Sequence, residues 1–366
     1  MATVKYIDKI SPLNKTLTRD IQSIIDDKTK PVGALGQLEH LALQLALIGQ
    51  QQHQCFSSLK KIDLAKPRLL IFAGDHGINA NNLSIAPSAV TGQMVNNFLH
   101  GGAAINCFCR SNNISFNVID CGILSRIEVA DDYRDLLIEQ RLGAGTADFS
   151  KQAAMSIAQV ESGLAYGAPL VDKVLQQGCH LLLLGEMGIA NTSSASAIMA
   201  ALTGYSVEQC VGTGTGISQA QLENKVRLIR QALKRLPDNY TDVDVILTEV
   251  GGFEIVQMVG TILAAAAKSL PIVIDGFIVS VAALVAITVD KNVADYLIYG
   301  HISQEQAHQL LLAKIIAPDN IKPLLNLGLR LGEGTGAALA LPLIQAAAGF
   351  YNDMASFETA GVSLSE

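Results

Sequence analysis

Five short, unbroken apolar runs set the limits on what this chain can fold into. They lie within PRLLIFAGDHGI (67–78), FNVIDCGI (116–123), CHLLLLGEMGI (179–189), DVDVILTEVGGFE (242–254) and LPIVIDGFIVS (270–280), and each closes on glycine or an acid. None alternates polar with apolar residues, so none reads as a strand with one wet face. The pattern is that of strands buried on both sides in a parallel sheet. Apolar, Ala-rich stretches at 193–202 and 256–268 lie between them and read as helices. Strand–loop–helix alternation predicts an α/β fold, a doubly wound parallel sheet flanked by helices. In such sheets the ligand crevice lies beyond the carboxyl ends of the strands, which is where this sequence puts its Gly, Asp, Glu and Asn residues.

The ends of the chain read differently. Residues 14–27 set Leu17, Ile21, Ile24 and Ile25 on one helical stripe, and residues 33–50 repeat the pattern with Leu35, Leu38, Leu41, Leu43, Leu45 and Leu47. A polar tract from about 291 to 320 reads as helical at Ala294–Gly300 and Ser303–Ile315, and NLGLRLGEGTG (326–336) opens a final Ala-rich helix.

Composition excludes several classes of function. Among 366 residues, 26 Lys and Arg face 33 Asp and Glu, a net charge of −7. That balance gives no footprint for a nucleic-acid backbone or an anionic membrane. Hydrophobic residues make up 49% and charged residues 16%, the reverse of a disordered chain. The uncharged run near the middle, Gly276–Val289, is bounded by Asp275 and Asp290 and falls short of the ~20 residues a bilayer needs. MATVKYIDKI carries Lys5, Asp8 and Lys9, so no signal peptide is expected. Six scattered cysteines are then expected as reduced thiols in the cytoplasm.

Several loops carry candidate chemistry. LGEGTGAA (331–338) holds Glu333 between two glycines, ahead of an apolar helix. It is either a solvated turn or a partly buried general base, since burial lifts a carboxylate pKa towards working pH. LGEMGIANTS (184–193) puts Glu186 at a strand end and Asn191, Thr192 and Ser193 at a helix start, where free N–H groups cap the helix or bind phosphate. GTGTG (212–216) has the wrong spacing for the G-x-G-x-x-G dinucleotide fingerprint. A nest of N–H groups for one phosphate fits it better, with Lys225 as a point charge or as a solvated surface residue. In PSAVTGQMVNNFLHGGAAIN (87–106), Ser88 and Gln93 sit on a helix that is a plain core element or one wall of a slot for a flat aromatic ligand. Glu249, Gly251, Gly252, Asp275 and Gly276 end apolar runs and are expected at the crevice. Asp75 and His76 are adjacent and point apart on an extended strand end, and Cys107-x-Cys109 has no partner pair, so no metal site is expected. There is no G-x-S-x-G elbow and no Walker A sequence.

Taken in order, GALGQLE (33–39), FAGDHGI (72–78), TGQMVNNFLHGGAAIN (91–106), GTADF (145–149), GEMGIANTS (185–193), GTGTG with Lys225, TEVGGFE (248–254), VIDGFIVS (273–280) and LGLRLGEGTGAAL (327–339) resemble the nicotinate-nucleotide–dimethylbenzimidazole phosphoribosyltransferase family. The resemblance spans most of the chain. It implies transfer of the phosphoribosyl group of nicotinate mononucleotide to 5,6-dimethylbenzimidazole, with release of nicotinate and inversion at the anomeric carbon. It places the catalytic base on Glu333 and a second acid on Glu186. It puts Gly188, Asn191, Gly214, Gly216, Lys225, Asp275 and Arg330 around the nucleotide, and Ser88 and Gln93 at the benzimidazole slot. It implies no cofactor and no metal.

The resemblance also implies a Rossmann-like sheet in a large α/β domain (31–290) and a smaller helical domain built from both termini (1–30 and 291–366). The assembly it implies is a homodimer whose sites borrow from the neighbouring subunit. Ala190 stands where the family commonly has Gly, and Thr213 where a larger basic residue is common. Two other readings of the residues are a non-catalytic nucleotide- or azole-binding relative, and an NAD(P)-dependent oxidoreductase using GTGTG.

Overall fold

The computed structural model describes residues 9–52, 59, 61–212, 216–237, 242–316 and 322–363. Six parallel strands make one sheet: β1 (Arg68–Gly74), β2 (Ser115–Gly122), β3 (Leu137–Glu139), β4 (Leu182–Met187), β5 (Ile272–Ile274) and β6 (Leu297–Tyr299). Their order is β3-β2-β1-β4-β5-β6, that of the doubly wound dinucleotide-binding sheet. β1 and β4 are neighbours in the sheet but their following connections diverge, which opens a crevice beyond their carboxyl ends. Register puts Phe72 opposite Glu186 and Ala73 opposite Met187. The acid-and-glycine ends of both strands therefore emerge at one edge.

The parallel α/β sheet is the architecture expected from the apolar runs. Leu69–Ala73 and Leu182–Leu184 are fully buried, as runs without polar alternation require. The helices Phe253–Ala267 and Phe277–Val289 are buried on nearly every face and pack on each other.

Three local expectations are corrected. DVDVILTEV is a helix, Val243–Val250, not a strand. Val243, Ile246, Leu247 and Val250 are its buried apolar residues, at 3.6-residue spacing, and the Asp242 side chain caps its start by accepting from Asp244 N–H at 3.0 Å. Ala294–Gly300 is not helical: Asp290 caps a 3₁₀ turn, Lys291–Tyr296, and β6 follows. The span 87–106 is two helices, Ala89–Leu99 and Ala104–Ser111, parted at His100–Gly102, where Gly101 takes a φ of +78°. Beyond residue 290 the chain still adds to the sheet, since Leu297, Ile298 and Tyr299 pair with Ile272, Val273 and Ile274.

The two ends of the chain do meet. Thr18–Asp26 packs on Gln37–Gln52, which packs on Thr335–Asp353. Lys28 bridges to Ser356, and its Nζ donates to the Met354 carbonyl at 2.7 Å. Among the described residues, no helix is long and apolar enough to cross a membrane.

Candidate active site

Glu186 ends β4 with its side chain buried against the turn Gly332–Gly334. Three successive residues of that turn are left-handed, with φ of +83° at Gly332, +64° at Glu333 and +85° at Gly334. Glycine meets this conformation without strain, whereas at Glu333 it costs about 1 kcal/mol. The turn is also squeezed onto the sheet: a Cβ on Gly185 would lie 2.5 Å from Gly334 N and 2.6 Å from the Glu333 carbonyl carbon. Glu333 N–H donates to the Glu186 carbonyl at 3.2 Å. Strand end and turn are thus stitched together, and two carboxyl groups distant in sequence become neighbours.

Both acids are displaced from ordinary carboxylate behaviour. Burial pushes Glu333 up to about 7, aided by the charge of Asp275 and opposed by a bond from the Ile105 N–H. Glu333 is 4% exposed and its Oε2 has no hydrogen-bond partner. Burial pushes Glu186 up to about 8, and Asp275, Glu254 and Glu333 add to the effect. The Asn191 amide, which donates to Glu186 Oε2, pulls the other way. A pair of acids so placed does not carry two charges at neutral pH.

Glu186 and Glu333 face a cavity of about 250 Å³. Gly188, Asn191 and Thr192 line it at the start of the helix Asn191–Thr203, and Gly276 and Phe277 at the start of the helix Phe277–Val289. Two helix N-termini therefore open on one space, an arrangement that favours an anion. Arg330, His301, Ser303 and Glu305 complete the polar wall, with Met94 and Leu331 on the apolar side. Arg330 and Glu305 also border an adjoining cavity of about 410 Å³, reached by Gly212. Lys225 lies behind Thr192, 2% exposed, and its Nζ donates to Thr192 Oγ1 at 2.8 Å. Burial lowers this amine to about 8, partly offset by Glu305. Ala190 starts the same loop with a φ of +71°, a left-handed position that suits glycine.

Not every expected site residue arrives here. Asp275 does not reach the cavity wall: it is 1% exposed, and its oxygens accept from Gly334 N–H at 3.1 Å and Ala337 N–H at 3.0 Å. Gln93 is exposed and turned away, while its neighbour Met94 lines the cavity. Ser88 borders a separate surface cavity of about 500 Å³, and its Oγ accepts from Asn79 Nδ2 at 3.0 Å. Gly216 is exposed beside open space, and Gly214 lies outside the described residues, as does Thr213. Glu249 points away from the crevice and pairs with Arg235 at 2.9 Å.

His76 lies under the β1 end with Nε2 2.7 Å from Glu254 Oε1, both side chains fully buried. Burial works against its charge, but Glu254 raises its pKa overall. His301, Ser303 and Glu305 are additions that the sequence reading does not contain. Their signal is present in LIYG (297–300), an apolar run closed by glycine like the others but only three residues long. The first βα turn, after β1, reads GDHGINAN and carries no G-x-G-x-x-G fingerprint.

The family model for phosphoribosyltransferases matches residues 10–362. The nicotinate-nucleotide–dimethylbenzimidazole phosphoribosyltransferase of Vibrio parahaemolyticus is 56% identical, over 95% of this chain and 99% of that protein. The enzyme of the same name from Vibrio campbellii is 54% identical, over 96% and 100%. The crystal structure of CobT from Thermus thermophilus superposes with a TM-score of 0.88 at 37% identity, covering 95% of this chain and 99% of that one. With the sheet order, the paired acids and these matches in agreement, the chain belongs to the nicotinate-nucleotide–dimethylbenzimidazole phosphoribosyltransferase family.

Proposed function

We propose that this chain transfers the phosphoribosyl group of nicotinate mononucleotide to 5,6-dimethylbenzimidazole, giving α-ribazole 5′-phosphate and nicotinate. The observation that carries this reading is Glu333, a buried carboxyl group with a free Oε2 on the wall of a cavity that two helix N-termini also face. One ring nitrogen of the azole attacks C1′ as the bond from C1′ to the nicotinate nitrogen breaks. The proton on the other ring nitrogen passes to Glu333. A base with a pKa near the working pH is suited to that transfer, worth roughly 10²–10⁴-fold in rate. Alignment of the two bound reactants supplies much of the rest.

Glu186, held protonated below about 8, donates a hydrogen bond instead of setting a second negative charge beside the base. The helix starts at Asn191 and Phe277, with Arg330 and with Lys225 through Thr192, cradle the phosphate. Leu331 is 56% exposed at the rim, and Leu327 on the segment leading to it is 59% exposed. Apolar groups exposed there support a second subunit closing the site, in a homodimer. We place the chain in the cytoplasm, where thiols such as Cys107 stay reduced. We place the small domain on the packed terminal helices, with β6 left in the large domain.

The test is incubation with nicotinate mononucleotide and dimethylbenzimidazole. Release of free nicotinate with formation of the α-riboside is expected, and Glu333→Ala loses most of it while keeping the fold. Binding of both ligands without product would instead mark a non-catalytic relative, and a 340 nm change with NAD(P) an oxidoreductase.

A further inference from the structure

We infer that Asp275 is the positioning residue of this reaction: from the end of β5 it holds the Gly332–Gly334 turn, and with it the Glu333 carboxyl group, in the reactive geometry. The inference rests on the assignment of Glu333 as the base. Asp275 is buried, and each of its carboxylate oxygens accepts one backbone N–H, from Gly334 and from Ala337. Both donors belong to the first turn of the helix Thr335–Asp353 or to its cap. The first N–H groups of any helix lack partners inside it. Here the cap residue is Gly334, which has no side chain to offer. Asp275 supplies the missing cap from another element, and its charge suits the positive end of the helix.

That anchor matters because the turn before the helix is not self-sustaining. Glu333 sits in a left-handed conformation that a side chain resists. The other fasteners on the turn are Glu333 N–H to the Glu186 carbonyl at 3.2 Å, and Thr335 N–H and Oγ1 to the Gly332 carbonyl at 3.0 and 2.8 Å. Release from Asp275 lets Glu333 relax to an ordinary backbone conformation, which swings its carboxyl group off the cavity. The His301 ring steadies the anchor, with Nε2 3.5 Å from Asp275 Oδ1.

Asp275 also acts on the base by its charge, which raises Glu333. The other ionisable groups around the cavity are Glu186 from β4, Glu254 behind it, His301 after β6, Glu305, Arg330 on the turn itself and Lys225 behind Thr192. None of them bonds the Gly334 and Ala337 N–H groups.

Two variants of the full-length enzyme separate anchor from charge. Asp275→Asn keeps the shape, loses the charge and presents one N–H donor to a backbone N–H donor. Asp275→Glu keeps the charge but carries it one methylene further, so that the two oxygens no longer meet both N–H groups. In steady-state assays with nicotinate mononucleotide and dimethylbenzimidazole, both variants are expected to lose about 10²-fold in kcat, the size of effect expected from a misplaced group. KM for either substrate stays within about threefold, the mark of an interaction made in the transition state. The acid limb of the kcat profile moves to lower pH in Asp275→Asn and stays in place in Asp275→Glu.

Undiminished kcat in both variants, or an unmoved acid limb in Asp275→Asn, overturns the inference. So does loss of the folded state in both, followed by circular dichroism, which would make Asp275 a residue of the fold alone. A parent enzyme with no transfer activity fails the functional assignment instead.

Discussion

Glu333→Gln is expected to make the protein slower and more stable at once, and the stability gain depends on pH. Glutamine keeps the shape of the side chain but cannot take a proton, so turnover falls by about 10²–10⁴-fold. Stability moves the other way because Glu333 is held at about 7 against an ordinary 4.5. Its folded pKa is the higher one, so the folded protein prefers the protonated acid. Below pH 4.5 both folded and unfolded chains carry the proton and the carboxyl group costs nothing. Between pH 4.5 and about 7 the unfolded chain ionises first, and the cost of folding grows. Above about 7 it levels off.

The difference, about 7 minus 4.5, is about 2.5 pH units, and at about 1.36 kcal/mol per unit the cost is about 3 kcal/mol. An unfolding entropy of about 2.1 cal/mol/K per residue over 366 residues is about 0.8 kcal/mol/K. Glu333→Gln should therefore raise Tm by about 4 °C at pH 8.5 and by less than about 1 °C at pH 4. Scanning calorimetry at the two pH values, beside turnover on the same samples, checks both halves. A Tm gain equal at both pH values, or a Tm loss at pH 8.5, refutes the claim that a buried, strained acid is maintained here at the expense of stability.

Two further substitutions probe the groups around the base. Lys225→Met should raise KM for nicotinate mononucleotide by about tenfold or more, the scale of one charge-assisted hydrogen bond, with little change for dimethylbenzimidazole. In the parent enzyme the same KM should climb above pH 8, because burial lowers this amine to about 8 and the ammonium loses its proton there. Glu254→Leu strands His76 in a fully buried place without its carboxylate, and should cost about 3–5 kcal/mol in urea unfolding. A loss below about 1 kcal/mol would show that the pair adds little to the crevice floor.

What is legible in the sequence divides along a physical line. Runs such as LLIFA and LLLL (181–184) announce strands because burial on both faces leaves no polar residue in them. The loops that carry the acids are legible too, since Glu186 and Gly188 stand where the chain leaves the sheet and Glu333 stands between two glycines ahead of a helix. The helix Val243–Val250 passes for a strand because a short apolar run looks the same in either conformation. Its 3.6-residue spacing, visible at Val243, Ile246, Leu247 and Val250, is the better guide. β3 and β6 escape because three residues carry too little pattern to mark a strand.

The pairing of Glu186 with Glu333 belongs to a different level. No local pattern encodes it; it follows from the sheet register and from Gly185, whose missing side chain lets the Glu333 backbone settle on β4. Asp275 is the sharpest case. Its position after an apolar run makes it read as a ligand contact, the default meaning of an acid at a strand end. In the fold, its two oxygens are taken up by Gly334 and Ala337 N–H groups, beside Glu333. An acid at the crevice can hold the substrate or hold the residue that reacts with it, and the choice rests on which N–H groups a distant helix brings alongside. Only the tertiary structure supplies those groups, so the difference between a binding residue and an anchoring one is not present in the local sequence.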